Sequence, residues 1–129
     1  MPSLDTNCLL RWLLGDIPEQ TEQIKNLLNS EKSVIVADVA IIETVFVLEK
    51  IKKINRDAIE KAIMIVLRKE TIMCNKELFN EVLPVYTSHP KLSFADCYLE
   101  VLARKTDTAP LLTFDQKLAS QLSGAKLLS

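Results

Sequence analysis

Residues 33–48 read SVIVADVAIIETVFVL. The first five, SVIVA, are apolar and rich in β-branched side chains, which suits a short strand. Asp38 follows at the position of a helix cap, and the spacing predicts a helix from there to about Ile54. A strand that feeds directly into a helix is the repeating unit of an α/β fold. The apolar zone from Val34 to Leu48 is interrupted by Asp38, Glu43 and Thr44, so it is too short and too polar to cross a bilayer.

The same alternation extends in both directions. Towards the N-terminus, residues 1–4 make a brief strand and residues 6–14 (TNCLLRWLL) a helix that stops near Gly15. A second helix covers about 18–29, with Pro18 in its first turn. Towards the C-terminus, residues 57–69 form an amphipathic helix with apolar positions at 58, 59, 62, 63, 66 and 67. Short strands follow at 71–74, 111–113 and 125–128. Helices are expected at 76–87, 93–105 and 115–122, with a break at His89–Pro90. This pattern predicts an α/β sandwich with a short, mainly parallel sheet, dominated by helix, in a single domain over residues 1–129.

Composition narrows the chemistry. The chain has two glycines, Gly15 and Gly124, and one histidine, His89. Dinucleotide fingerprints and phosphate loops need clustered glycines, and a zinc protease needs a histidine pair, so these classes are excluded. Cys8, Cys74 and Cys97 are too few and too dispersed for a structural zinc site. Their odd number, with no signal sequence evident at the start, predicts reduced thiols in a cytoplasmic protein. A net charge of -1 is not that of a protein held to nucleic acid by its own basic surface. Carboxylates, hydroxyls and amides remain as the chemical groups.

Four of the acids stand in unusual company. Asp5 follows the first strand and precedes an apolar helix. Glu43 shares helical spacing with Val39, Ala40, Phe46 and Val47, which predicts apolar surroundings for it. Asp96 sits within Phe94-Ala95-Asp96-Cys97, and Asp115 ends Leu111-Leu112-Thr113-Phe114-Asp115. Asp5 and Asp115 also read as plain helix caps, Ser93-x-x-Asp96 as a capping box, and Glu43 as half of an ion pair. Taken together, they lie where a parallel α/β sheet gathers its ligand-binding residues, beyond the carboxyl ends of the strands. Like charges at roughly 4 Å repel by about 4 kcal/mol per pair at an effective dielectric near 20. Hard divalent cations relieve such a cluster and activate water for phosphoryl displacement.

Leu4-Asp5-Thr6-Asn7, Ile42-Glu43-Thr44-Val45-Phe46-Val47-Leu48, Leu92-Ser93-Phe94-Ala95-Asp96 and Leu112-Thr113-Phe114-Asp115 occur in this order across nearly the whole chain. In this ordered set the sequence resembles the PIN domain nucleases, and among them the short VapC-type toxins of toxin–antitoxin pairs. The resemblance implies a PIN-like three-layer α/β/α sandwich with Mg²⁺ or Mn²⁺ as cofactor. It implies Asp5 and Asp96 as direct metal ligands. Glu43 would help to hold the metal or orient the attacking water, and Asp115 would complete the site. Asn7 and Thr113 match supporting polar positions, and Ser93 would both cap its helix and contribute there. It further implies RNA as substrate, a homodimer, and a small antitoxin as partner.

The resemblance also covers PIN nucleases of housekeeping RNA processing and catalytically silent PIN-like binding modules. A haloacid-dehalogenase-like phosphatase needs a second Asp at position 7, which is Asn. A receiver domain needs paired acids after its first strand and gives Glu43 no role. Lys50, Lys52, Lys53 and Arg56 read as a solvated helix end or an RNA contact, and Arg11 and Trp12 as RNA contacts or packing residues.

Overall fold

A computed structural model describes residues 1–128. The chain forms two compact units, Met1–Lys76 and the segment from Glu77 onward. Helix predominates, and every strand pair is parallel.

In the first unit, β1 (Ser3–Leu4), β2 (Val34–Val36) and β3 (Ile72–Met73) lie side by side in that order. Leu4 stands opposite Val36, and Val34 opposite Ile72. Val34, Val36 and Ile72 are buried, as β-branched residues of a covered sheet should be. Helix α1 (Thr6–Leu14) begins directly after β1 and ends at Gly15, whose φ of 62° is the left-handed conformation that glycine adopts without strain. Helix α2 (Pro18–Ser30) starts on Pro18, where the missing N–H costs nothing. Thr21 Oγ1 donates to Arg11 O at 2.6 Å and ties α2 to the end of α1.

Helix α3 (Asp38–Phe46) follows β2. It buries Ala40, Ile41, Thr44 and Val45, and Thr44 Oγ1 donates back to Ala40 O at 2.7 Å. Ala37 is its N-cap residue and Asp38 its first residue, so Asp38 does not cap it as the spacing predicts. The helix is also shorter than expected. It passes into a π turn at Val47–Ile51, and Lys53 has a φ of 57°, which ends any helical path to Ile54. Arg56 holds Glu49 at 3.1 Å and anchors this turn to α4 (Arg56–Arg68). The amphipathic stripe of α4 buries Ile59, Ile63, Val66 and Leu67.

Helix α5 (Lys76–Ser88) belongs to the second unit from Glu77 onward and shares an aromatic cluster with α6 (Phe94–Lys105). Phe79 stacks on Tyr98 with ring centroids 5.6 Å apart, and Tyr86 meets Phe94 edge-on at 5.0 Å. Strand β4 (Leu111–Thr113), helix α7 (Gln116–Gln121) and strand β5 (Ala125–Leu127) follow, with Leu111 opposite Ala125.

Gly124 precedes β5 for a packing reason. A Cβ there would overlap Glu100 Oε1 and lie 3.3 Å from Arg104 Cγ. Glu100 is buried and takes a hydrogen bond from Arg104 Nε at 2.7 Å, so its carboxylate has little room to move aside. Gly124→Ala is expected to lower stability by about 1–3 kcal/mol, the usual range for overpacking. Urea unfolding should show most of that loss disappearing when Glu100→Ala is also present. Additive losses would place the cause elsewhere.

Candidate functional site

Each candidate acid is positioned by a helix start or an exposed helix face. Asp5 separates β1 from α1 as the N-cap residue, in extended conformation, and its Oδ1 accepts from Cys8 N–H at 2.9 Å. Asp115 repeats this arrangement in the second unit. It follows β4, its Oδ1 accepts from the N–H groups of Lys117 and Leu118, and its own N–H donates to Thr113 Oγ1 at 2.9 Å. Asp96 lies in the first turn of α6, where Ser93 Oγ accepts its N–H at 3.1 Å. The capping box is thus half formed among the described residues, and the Asp96 side chain plays no part in it.

The capping readings of Asp5 and Asp115 are therefore correct, and they do not compete with a chemical role. In both residues the helix start takes Oδ1. Among the described residues, the helix-start bonds leave Oδ2 of each carboxylate unused. An acid at a helix N-terminus is also favoured electrostatically.

Glu43 is a correction. Of the helical neighbours the spacing gives it, Ala40 is buried and Val47 half-buried, but the side of the helix that carries Val39, Glu43 and Phe46 is open. Val39 is 60% exposed, Phe46 57%, and Glu43 itself is exposed. Helical periodicity says which residues share a face, not whether another element covers that face. Glu43 therefore has no buried-charge penalty to offset. It stands in an exposed stripe flanked by large apolar side chains.

Within the first unit, β1 and β2 end level with each other, because Leu4 pairs with Val36. Asp5 and the start of α3 thus lie at one edge of the sheet, and α1 packs against α2 and α3. A cavity of about 280 Å³ opens beside Asp5, lined also by Asn7, Cys8 and Arg11 of α1 and by Gln20, Gln23 and Ile24 of α2. Composition and spacing do not reveal Gln20 and Gln23, because ordinary surface amides acquire significance only when α2 packs beside α1.

The Asp5 carboxyl is held below its usual range, first by the backbone N–H of Cys8. The Cys8 thiol is pushed up, first by burial and then by Asp5. A depressed carboxylate contributes stability that is complete above its unfolded value and is lost as pH falls through its folded value. Asn at the same position caps without titrating. Denaturant unfolding in acid is therefore expected to show the wild type losing stability relative to Asp5→Asn as pH drops. Parallel pH profiles would count against the Cys8 bond as the cause.

The donor set suits a hard dication, since its members are carboxylate oxygens rather than thiolates or imidazoles. Among the described residues, no three of His, Cys, Asp and Glu stand together as a ready metal-holding group. No helix among them is long and apolar enough to cross a membrane. In comparison with known families, the family described as PIN domain matches residues 3–121. No curated protein matches the chain.

Proposed function

The chain belongs to the PIN domain family, whose members are generally metal-dependent nucleases, and from that premise we propose that it is a metal-dependent endoribonuclease acting as the toxin of a toxin–antitoxin pair. The observation that carries this reading is a family match that spans all four acids, Asp5, Glu43, Asp96 and Asp115. Asp5 directly follows β1 and Asp115 stands two residues beyond the end of β4, each at the carboxyl end of a parallel strand, the usual ligand edge of an α/β sheet.

Asp5 and Asp96 would hold Mg²⁺ or Mn²⁺, with Glu43 and Asp115 completing the set. When bound, the cation supplies Lewis acidity at a phosphoryl oxygen and lowers the pKa of a water. Glu43 orients the attacking water and accepts its proton. The Cys8 N–H bond favours the ionised form of Asp5 and holds its carboxyl below the usual carboxylate range. Asn7 and Thr113 support the acids, Thr113 through its bond to the Asp115 backbone N–H. Ser93 holds the first turn of α6 from which Asp96 projects.

The test uses the purified full chain and single-stranded RNA, with Mg²⁺, with Mn²⁺ and with EDTA. Cleavage that requires the dication supports the reading, and cleavage that persists in EDTA overturns it. The toxin role has its own readout. Expression should slow growth, and a small protein encoded beside the gene should relieve the effect and bind the chain, itself expected to be a homodimer in the cytoplasm. Unimpaired growth overturns the toxin role and favours a nuclease of housekeeping RNA processing.

A further inference from the structure

The cavity beside Asp5 has features that cation binding does not explain. Arg11 contributes a guanidinium whose NH1 lies 3.3 Å from Asp16 Oδ2, while its Nε is buried and donates to nothing among the described residues. Gln20 and Gln23, one turn apart on α2, add two carboxamides, and Ile24 and Cys8 add apolar surface. The volume, about 280 Å³, lies just below the usual range of ligand sites, roughly 300–1,000 Å³, and so suits one small group.

The charges say what kind of group. The Arg11 cation is already balanced by Asp16, and Asp5 adds a negative charge to the wall. An anion entering here would meet Asp5 without a free cation to oppose it. A neutral, planar ligand with donors and acceptors on its edge and an apolar face fits better. Carboxamides present a donor and an acceptor side by side, which is the pattern that reads base edges in pairs of hydrogen bonds. Unpaired bases of single-stranded RNA expose those edges.

We propose that this cavity is a nucleobase subsite that receives one unpaired base of the RNA next to the bond to be cut. Gln20 and Gln23 read the base edge, and Ile24 lies against the ring. The proposal rests on the nuclease reading, since Asp5 both borders the cavity and belongs to the acid set. Gln20 and Gln23 are exposed on a helix, so Ala at both positions keeps the helix.

The Gln20→Ala/Gln23→Ala variant of the full chain is compared with the wild type on a single-stranded oligoribonucleotide and on the same strand with single abasic positions flanking the cut. KM on the intact strand is expected to rise about tenfold, the ordinary worth of one bidentate base contact, with kcat unchanged. On the strand abasic at the recognised position, wild type and variant should have the same KM. Equal KM on the intact strand, or an equal loss on both strands, overturns the proposal. If the wild type cuts no RNA, the nuclease reading fails, and NMR of the Gln20 and Gln23 side-chain amides decides the cavity separately. Shifts with nucleoside 5′-monophosphates but not with ribose 5-phosphate support a base site. Shifts with neither, or with both alike, overturn it.

Discussion

Asp5→Asn and Asp96→Asn are each expected to reduce RNA cleavage by about a hundredfold or more while leaving the protein folded. Asn has nearly the shape of Asp and is an equally good N-cap, so the bond from Cys8 N–H to position 5 can persist. What is lost is the anion, and with it the attraction for a hard dication. Position 96 makes the separation cleaner still, since the helix start there is held by Ser93 rather than by the Asp96 side chain. Asp5→Ala removes charge and cap together and should cost about 1 kcal/mol of stability besides. Asp57, another acid in a first helical turn, serves as control, and Asp57→Asn should cut RNA at the wild-type rate. Initial rates and urea unfolding of the same preparations check both halves of the prediction. Full activity in Asp5→Asn and Asp96→Asn would remove these residues from the chemistry. Loss of activity together with loss of folding would show that the residues serve structure instead.

The largest effect on stability is expected from one side of an ion pair. The Glu100 side chain is 4% exposed and that of Arg104 44%, with Nε and Oε1 2.7 Å apart. Glu100 Oε2 is buried and has no partner among the described residues. Arg104→Ala would therefore strand a buried carboxylate with neither oxygen bonded. The expected cost is about 3 kcal/mol, the lower end for breaking a buried pair, because the vacated side of the pair opens towards solvent. Glu100→Ala leaves only a guanidinium that water already reaches and removes an unsatisfied oxygen, so it should cost much less. The Arg104→Ala/Glu100→Ala double variant should recover most of the Arg104→Ala loss. Thermal or urea unfolding of the three variants checks this, and equal costs from the two single changes would show that the pair acts as a surface bridge of little consequence.

Local patterns in the chain were informative wherever one element decides the outcome. Pro18 at the start of α2, Gly15 at the end of α1, the Ser93 cap and the caps at Asp5 and Asp115 all lie where residue chemistry places them. These features depend on neighbours within a turn or two. Glu43 shows the opposite case. Its spacing with Val39 and Phe46 is legible, yet the exposure of that face depends on which elements pack against α3 and which do not. Glu100 reads as one more surface acid in a charged helix, but the close approach of Gly124 encloses it.

The sequence by itself therefore determined the alternation of strand and helix, the helix starts at Asp5, Pro18, Ser93 and Asp115, and the family to which the chain belongs. Hydrophobic period, β-branching and capping act over a few residues, so they can be read along the chain. Only the tertiary structure decided that the Glu43 stripe is open, that Glu100 is enclosed, and that Gln20 and Gln23 line a cavity shared with Asp5. Burial and enclosure are properties of surfaces brought together from distant segments, and no local pattern specifies which surfaces meet.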